Sequence, residues 1–198
     1  MRDAITEIAI VPVGNVDRPL LEYLTLTLPE KFAAACVVRP IGFDIDDSYH
    51  ATRQQHHSTR LLAKLRGLGG KRRKILGITD FDLFIPIFTF VFGEAEVGGC
   101  AALMSTHRLR QEFYGLPEDR ELLFLRAEKE AVHELGHTRG LAHCRSFDCV
   151  MRFSNSVEQV DLKPFSFCPL CEARLHKRTG SNGCLNKYEE NKLEEVHA

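Results

Sequence analysis

His133, Glu134, His137 and His143 fall within the run HELGHTRGLAH, and Cys144 follows at once. Residues four apart on a helix share a face, so the imidazoles of His133 and His137 can reach one zinc ion at about 2.0 to 2.1 Å. Gly140 can take the left-handed backbone conformation that ends a helix and turns the chain, which lets His143 approach the same ion from outside. Three neutral imidazoles leave a fourth position for water, the open arrangement of a catalytic zinc site. Glu134 lies beside a ligand without being one. From there a carboxylate can take a proton from water at the metal and return it to a leaving group.

A second group follows. Cys144 and Cys149 are separated by four residues, and Cys168 and Cys171 form the knuckle CPLC. Two cysteine pairs in one short polar stretch suit a tetrahedral zinc site, and a bound ion would staple a segment too poor in apolar residues to fold alone. A disulfide framework is the weaker reading for a chain whose N-terminus lacks an export signal. Cys36 and Cys100 sit in apolar runs and read as buried small hydrophobes, while Cys184 in the polar tail has no evident partner.

A long helix must carry the first three of these residues. The sequence GLPEDRE, with proline and clustered Glu118, Asp119 and Glu121, predicts its start, and it should run to about Arg139. Phe124, Ala127, Ala131 and Leu135, widened by Leu125, Val132 and Gly136, form an apolar stripe for packing on a sheet. His133 and His137 point away from that stripe, toward a cleft. Upstream, IAIVPV, RPLLEYLTLTLPEKF, AACVVRPI and a polar helical stretch from about 50 to 68 give a β-α-β-α rhythm. Beyond the glycine-rich break come KILGIT, DLFIPIFTFVFG and, after a turn-like EAEVGG, VGGCAALMST. These predict an α+β fold, α/β-like in its N-terminal lobe, with a mixed sheet of about five strands. Pro86 suggests an edge, a bulge or a strand start. Past Gly140 no periodic element is expected before CEARLHKR, which opens a helix; KYEENKLEEVHA at the end of the chain could form another.

The run HELGHTRGLAH resembles the signature HExxHxxGxxH of the metzincin zinc peptidases, met in full by His133, Glu134, His137, Gly140 and His143. That resemblance implies a twisted mixed sheet and helices above a horizontal cleft, with a smaller lobe below entered at the glycine. It also implies a methionine in a tight turn beneath the zinc, which Met151 matches. The continuation into Cys144, CVM and CPLC narrows the resemblance to the archaemetzincins, or archaelysins, in which a second, structural zinc follows the catalytic one. The implied organisation is one catalytic domain over residues 1–198, with an upper lobe to 140 and a lower lobe from 141. Two zinc ions and a peptide or protein substrate are implied with it. In metzincins the substrate lies extended along an edge strand, for which residues 97–106 are the candidate.

Composition limits the alternatives. With 44% hydrophobic and 27% charged residues and a net charge of -1, the 198-residue chain reads as a globular protein with no general attraction to nucleic acid or anionic membrane. The basic run KRRK at 71–74 reads as a solvated loop. A cytoplasmic monomer is expected. A zinc-stabilised peptide-binding module without peptidase activity is the alternative, against which stands the intact Glu134. His107 at a strand end, Asp80 and Asp82 after a strand, and the pair His56–His57 in a polar helical stretch are read as structural or surface residues.

Overall fold

The computed structural model describes residues 5–42 and 44–177. In chain order the elements are β1 (Glu7–Val13), α1 (Arg18–Phe32), β2 (Ala35–Val38), β3 (Tyr49–His50), β4 (Gln55–His57), α2 (Ser58–Arg66), β5 (Arg73–Thr79), β6 (Leu83–Phe84), β7 (Gly93–Ala95), β8 (Ala101–Ser105), α3 (Arg120–Thr138), α4 (Val157–Leu162) and α5 (Pro169–Lys177). Five strands form one sheet in the order β2-β1-β5-β8-β7, parallel except for β7, and β3, β4 and β6 form a small second sheet.

Strand alternation sorts the core onto two faces. Ile8 and Ile10 of β1, Leu76 and Ile78 of β5, and Ala102 and Met104 of β8 face α1 and α3. Ala9, Val11 and Val13, Ile75, and Ala101 and Leu103 face α2 through its Leu61, Leu62 and Leu65. Because the central strands are covered on both sides, they read as continuous apolar runs. The α1–α3 cluster also takes in Cys149, Val150, Met151, Val157 and Val160, so the segment after Gly140 shares the core of the sheet.

Several expectations need correction. The strand in 97–106 is β8, and it is interior, between β5 and β7; all five of its residues are buried. The edge on that side of the sheet is β7, whose Glu94 and Ala95 belong to the segment expected to be a turn. DLFIPIFTFVFG contributes only the two residues of β6 and the start of β7: Pro86 has no ladder donor, and the chain from 85 to 92 loops before Val91 returns to Leu83. Of the polar helical stretch, only Ser58–Arg66 is helix; β3 and β4 precede it, so His56 and His57 lie on a strand. The KRRK run enters β5, where Arg73 pairs with Glu7 and Lys74 is buried.

On α3, Asp119 is the N-cap, its side chain accepting from Leu122 N at 2.9 Å, and Pro117 lies ahead of the helix. Leu125 is exposed and Leu123 is buried in its stead. Downstream, α4 is a short helix in the stretch read as aperiodic, and α5 covers the predicted CEARLHKR helix as far as Lys177. Cys36 is a half-buried thiol of β2, and Cys100 is buried in its apolar run as expected. Cys184 and the predicted C-terminal helix lie outside the described residues.

Candidate active site

From Arg126 to Thr138 every residue of α3 is buried, so its polar face is enclosed as fully as its apolar one. His133 and His137 nevertheless line a cleft of about 530 Å³ together with Glu134 and His143, as their angular position on the helix predicts. Gly140 has φ +82°, in the left-handed region, and Leu141 N bonds back to Gly136 O at 3.1 Å. This turn brings His143 up to the helix: its ring centroid is 5.3 Å from that of His133 and 4.8 Å from that of His137.

The hydrogen bonds behind these rings determine what the site can bind. His133 Nδ1 lies 2.8 Å from Val150 O, and His137 Nδ1 lies 2.7 Å from Leu141 O. A carbonyl only accepts, so each Nδ1 carries the proton and each Nε2 keeps its lone pair. Those two lone-pair nitrogens face one another at 3.1 Å. Two acceptors at that distance repel unless a cation sits between them, and the edge of a tetrahedron with zinc–nitrogen bonds of about 2.0 Å is about 3.3 Å. Burial keeps both imidazoles neutral: the pKa of His133 is pushed well below the usual histidine range, and that of His137 down to about 4. The donor set fits zinc.

Glu134 is buried against β7. A Cβ placed on Gly93 would lie 2.5 Å from Glu134 Oε1, so only glycine leaves room for this carboxylate. Burial, with a smaller contribution from the charge of Glu130, pushes its pKa well above the carboxylate range, while Lys163 opposes the shift. Met151 lies directly beneath Gly136, where a Cβ would collide with its sulfur, which gives the glycine of HELGH a packing reason.

Cys144, Cys149, Cys168 and Cys171 converge, each with its sulfur within 4.8 Å of the others. The Cys144 and Cys168 sulfurs are 3.8 Å apart, far beyond a disulfide and equal to the edge expected for about 2.3 Å zinc–sulfur bonds. Cys144 N also bonds to Met151 O at 2.9 Å, so this group and the floor of the histidine site share one backbone tie.

The residues set aside earlier lie apart from the three histidines. His56 stacks on Phe81 and pairs through Nδ1 with Ser48 Oγ; Asp82 holds Arg108 by two hydrogen bonds; His107 Nδ1 approaches Asp80 O. Among the cleft residues that escaped the sequence reading are Gly93, Glu130 and Lys163. Glu130 had a signal, lying four residues before Glu134 on the same helix face. Gly93 and Lys163 are far from the motif in sequence and had none.

A mixed sheet above a helix that carries two histidines, with a third returned by a glycine turn, defines a zinc metallopeptidase of the metzincin type. The chain belongs to the archaemetzincins, peptidase family M54, whose profile matches residues 36–177. It is 42% identical over 174 residues to the archaemetzincin of Methanocaldococcus jannaschii, covering 88% of this chain and 95% of that one. Against the archaemetzincin of Pyrococcus furiosus the identity is 38% over 187 residues, covering 91% and 96%. The crystal structure of Archaeoglobus fulgidus archaemetzincin, complexed with malonate, superposes with a TM-score of 0.76 at 41% identity, over 85% of this chain and 99% of that one. That of Methanopyrus kandleri archaemetzincin gives 0.75 at 32% identity, over 90% and 97%. The protein is thus a zinc-dependent hydrolase. Among the described residues, no helix is long and apolar enough to cross a membrane.

Proposed function

We propose that this chain hydrolyses peptide bonds at the site formed by His133, His137 and His143, with Glu134 as general base and then general acid. The observation that carries this reading is the pair of lone-pair nitrogens of His133 and His137, 3.1 Å apart with both Nδ1 protons committed to backbone carbonyls. A zinc ion held there supplies a Lewis acid for the scissile carbonyl and lowers the pKa of a water.

The chain's own groups do the rest. Glu134, enclosed between α3 and Gly93, accepts the proton from the attacking water and delivers it to the departing amine. Its raised affinity for protons suits both halves of that transfer. The edge of β7, whose Gly93, Glu94 and Ala95 line the cleft, is the strand along which an extended peptide can pair, in place of the interior β8. Met151 supports the floor under Gly136. Cys144, Cys149, Cys168 and Cys171 hold a second, structural zinc, and the stretches before and after Gly140 act as one catalytic domain with a peptide or protein substrate.

The test is Glu134→Ala. Zinc at the histidines, located by anomalous diffraction at the zinc edge, should be retained, while cleavage of a peptide library should fall by at least about a hundredfold. Retained cleavage would remove Glu134 from the chemistry, and absence of zinc from the histidines of the parent protein would favour a binding module.

A further inference from the structure

Lys163 is the least expected residue of the cleft. Its side chain is 1% exposed, it directly follows α4, and its Nζ lies 2.7 Å from Oε1 of Glu130, itself 4% exposed. A buried ion pair is costly, since desolvation of the two ions offsets much of their attraction, and an apolar pair would hold the same two segments at least as well. Holding them is in any case done elsewhere. Arg126 donates two hydrogen bonds of 2.7 Å to the Asp161 carboxylate, and Lys129 donates to Val160 O at 3.2 Å and Asp161 O at 2.7 Å, so α4 is already fastened along α3.

What distinguishes the Lys163–Glu130 pair is its place. Both residues line the cleft with the three histidines and Glu134, among the apolar side chains Ile85, Phe88 and Phe92. Neither is saturated. Glu130 Oε1 has the Lys163 ammonium at 2.7 Å and no further partner among the described residues. Besides that contact, the ammonium has a long approach of 3.5 Å to Arg152 O, although it carries three N–H groups.

We propose that Lys163 and Glu130 form a specificity subsite for a carboxamide side chain, that of asparagine or glutamine, on the peptide bound beside the histidines. The proposal rests on the peptidase reading above. A carboxamide sets an acceptor oxygen beside a donor NH₂, the complement of an ammonium beside a carboxylate: Lys163 donates to the oxygen and the NH₂ donates to Glu130. An acidic side chain fits worse, because Glu130 already balances Lys163 and Glu134 stands one helical turn away. An aliphatic side chain fits the apolar walls but leaves both polar groups unanswered, which hydrogen-bonding sites penalise strongly.

The experiment uses three hydroxamates that share one zinc-binding group and differ only in a carboxamide, carboxylate or isobutyl side chain. They are titrated calorimetrically into zinc-loaded protein, so that binding is read without turnover. The wild type should bind the carboxamide compound about tenfold more tightly than either other compound. Lys163→Met should abolish that advantage. Because this variant strands Glu130, the double variant Lys163→Met/Glu130→Leu, which buries neither charge nor amide, serves as the folded control and should favour the isobutyl compound. Equal or tighter binding of the carboxylate compound by the wild type, or a carboxamide preference that survives in the double variant, would overturn the proposal. So would failure of all three to bind; zinc found at the histidines would then leave the peptidase reading standing, and zinc missing from them would remove both.

Discussion

In the proposed mechanism, His133, His137 and Glu134 are held by neighbours that do no chemistry. The imidazole protons of His133 and His137 are committed to Val150 O and Leu141 O, and the position of Glu134 depends on the absence of a side chain at Gly93. Gly93→Ala tests that dependence: the new methyl group would push the carboxylate aside while leaving the three histidines in place. We expect kcat to fall by roughly a hundredfold, as displacements near 1 Å can cause, with zinc content unchanged. A variant with undiminished kcat would show that β7 does not position the base. The spacing of the histidines was legible in the sequence because an i, i+4 pair on a helix is a local relation. The need for glycine at position 93 was not, since strand and helix meet there only through the fold.

At the scale of elements, burial overrides composition. Helix α3 carries Arg126, Glu128, Lys129 and Glu130 through the interior, and the second residue of β5 is Lys74, 6% exposed, although the run KRRK reads as solvated loop. Lys74 Nζ donates to Gly99 O at 2.6 Å, but desolvation lowers its pKa to about 8 from 10.5. In the folded state the proton is therefore held less tightly than in the unfolded chain. Below pH 8 both states are protonated and the full cost of burying the charge is present; between pH 8 and 10.5 the folded state loses its proton first and stability rises. Relative to Lys74→Met, the wild type should gain up to about 3 kcal/mol across that window, read by denaturant melts at fixed pH values. A flat difference would mean that the amine reaches water. Helix α1 was legible because its apolar periodicity agrees with its environment, and α3 because its N-cap and apolar stripe are local signals, although its polar face is buried as well. The region from 85 to 106 was not: apolar content marks both the interior strand β8 and the cleft loop before β7, and it does not distinguish a ladder from a loop that packs.

At the scale of the molecule, the segment after Gly140 is tied to the sheet through a common core and to the histidine site through consecutive residues, His143 and Cys144. A metal at the four cysteines should therefore support both. Cys171→Ser, which removes a buried ligand, should lower stability by several kcal/mol and deplete zinc from the histidines as well as from the cysteines. His143→Gln should deplete only the histidines. Zinc analysis with hydrogen exchange over 144–171 distinguishes the two cases; independent loading of the sites in Cys171→Ser would refute the coupling.

The order and spacing of the three histidines, the helix that carries two of them and the glycine that ends it are properties of neighbouring residues, and the sequence determined them. Local geometry repeats every few residues and leaves a pattern in composition. Which strand forms the edge, which residue encloses Glu134 and which cation reaches Glu130 were decided by tertiary structure alone. Those contacts join positions 93, 130, 134 and 163 across elements whose separation in sequence bears no relation to their separation in space.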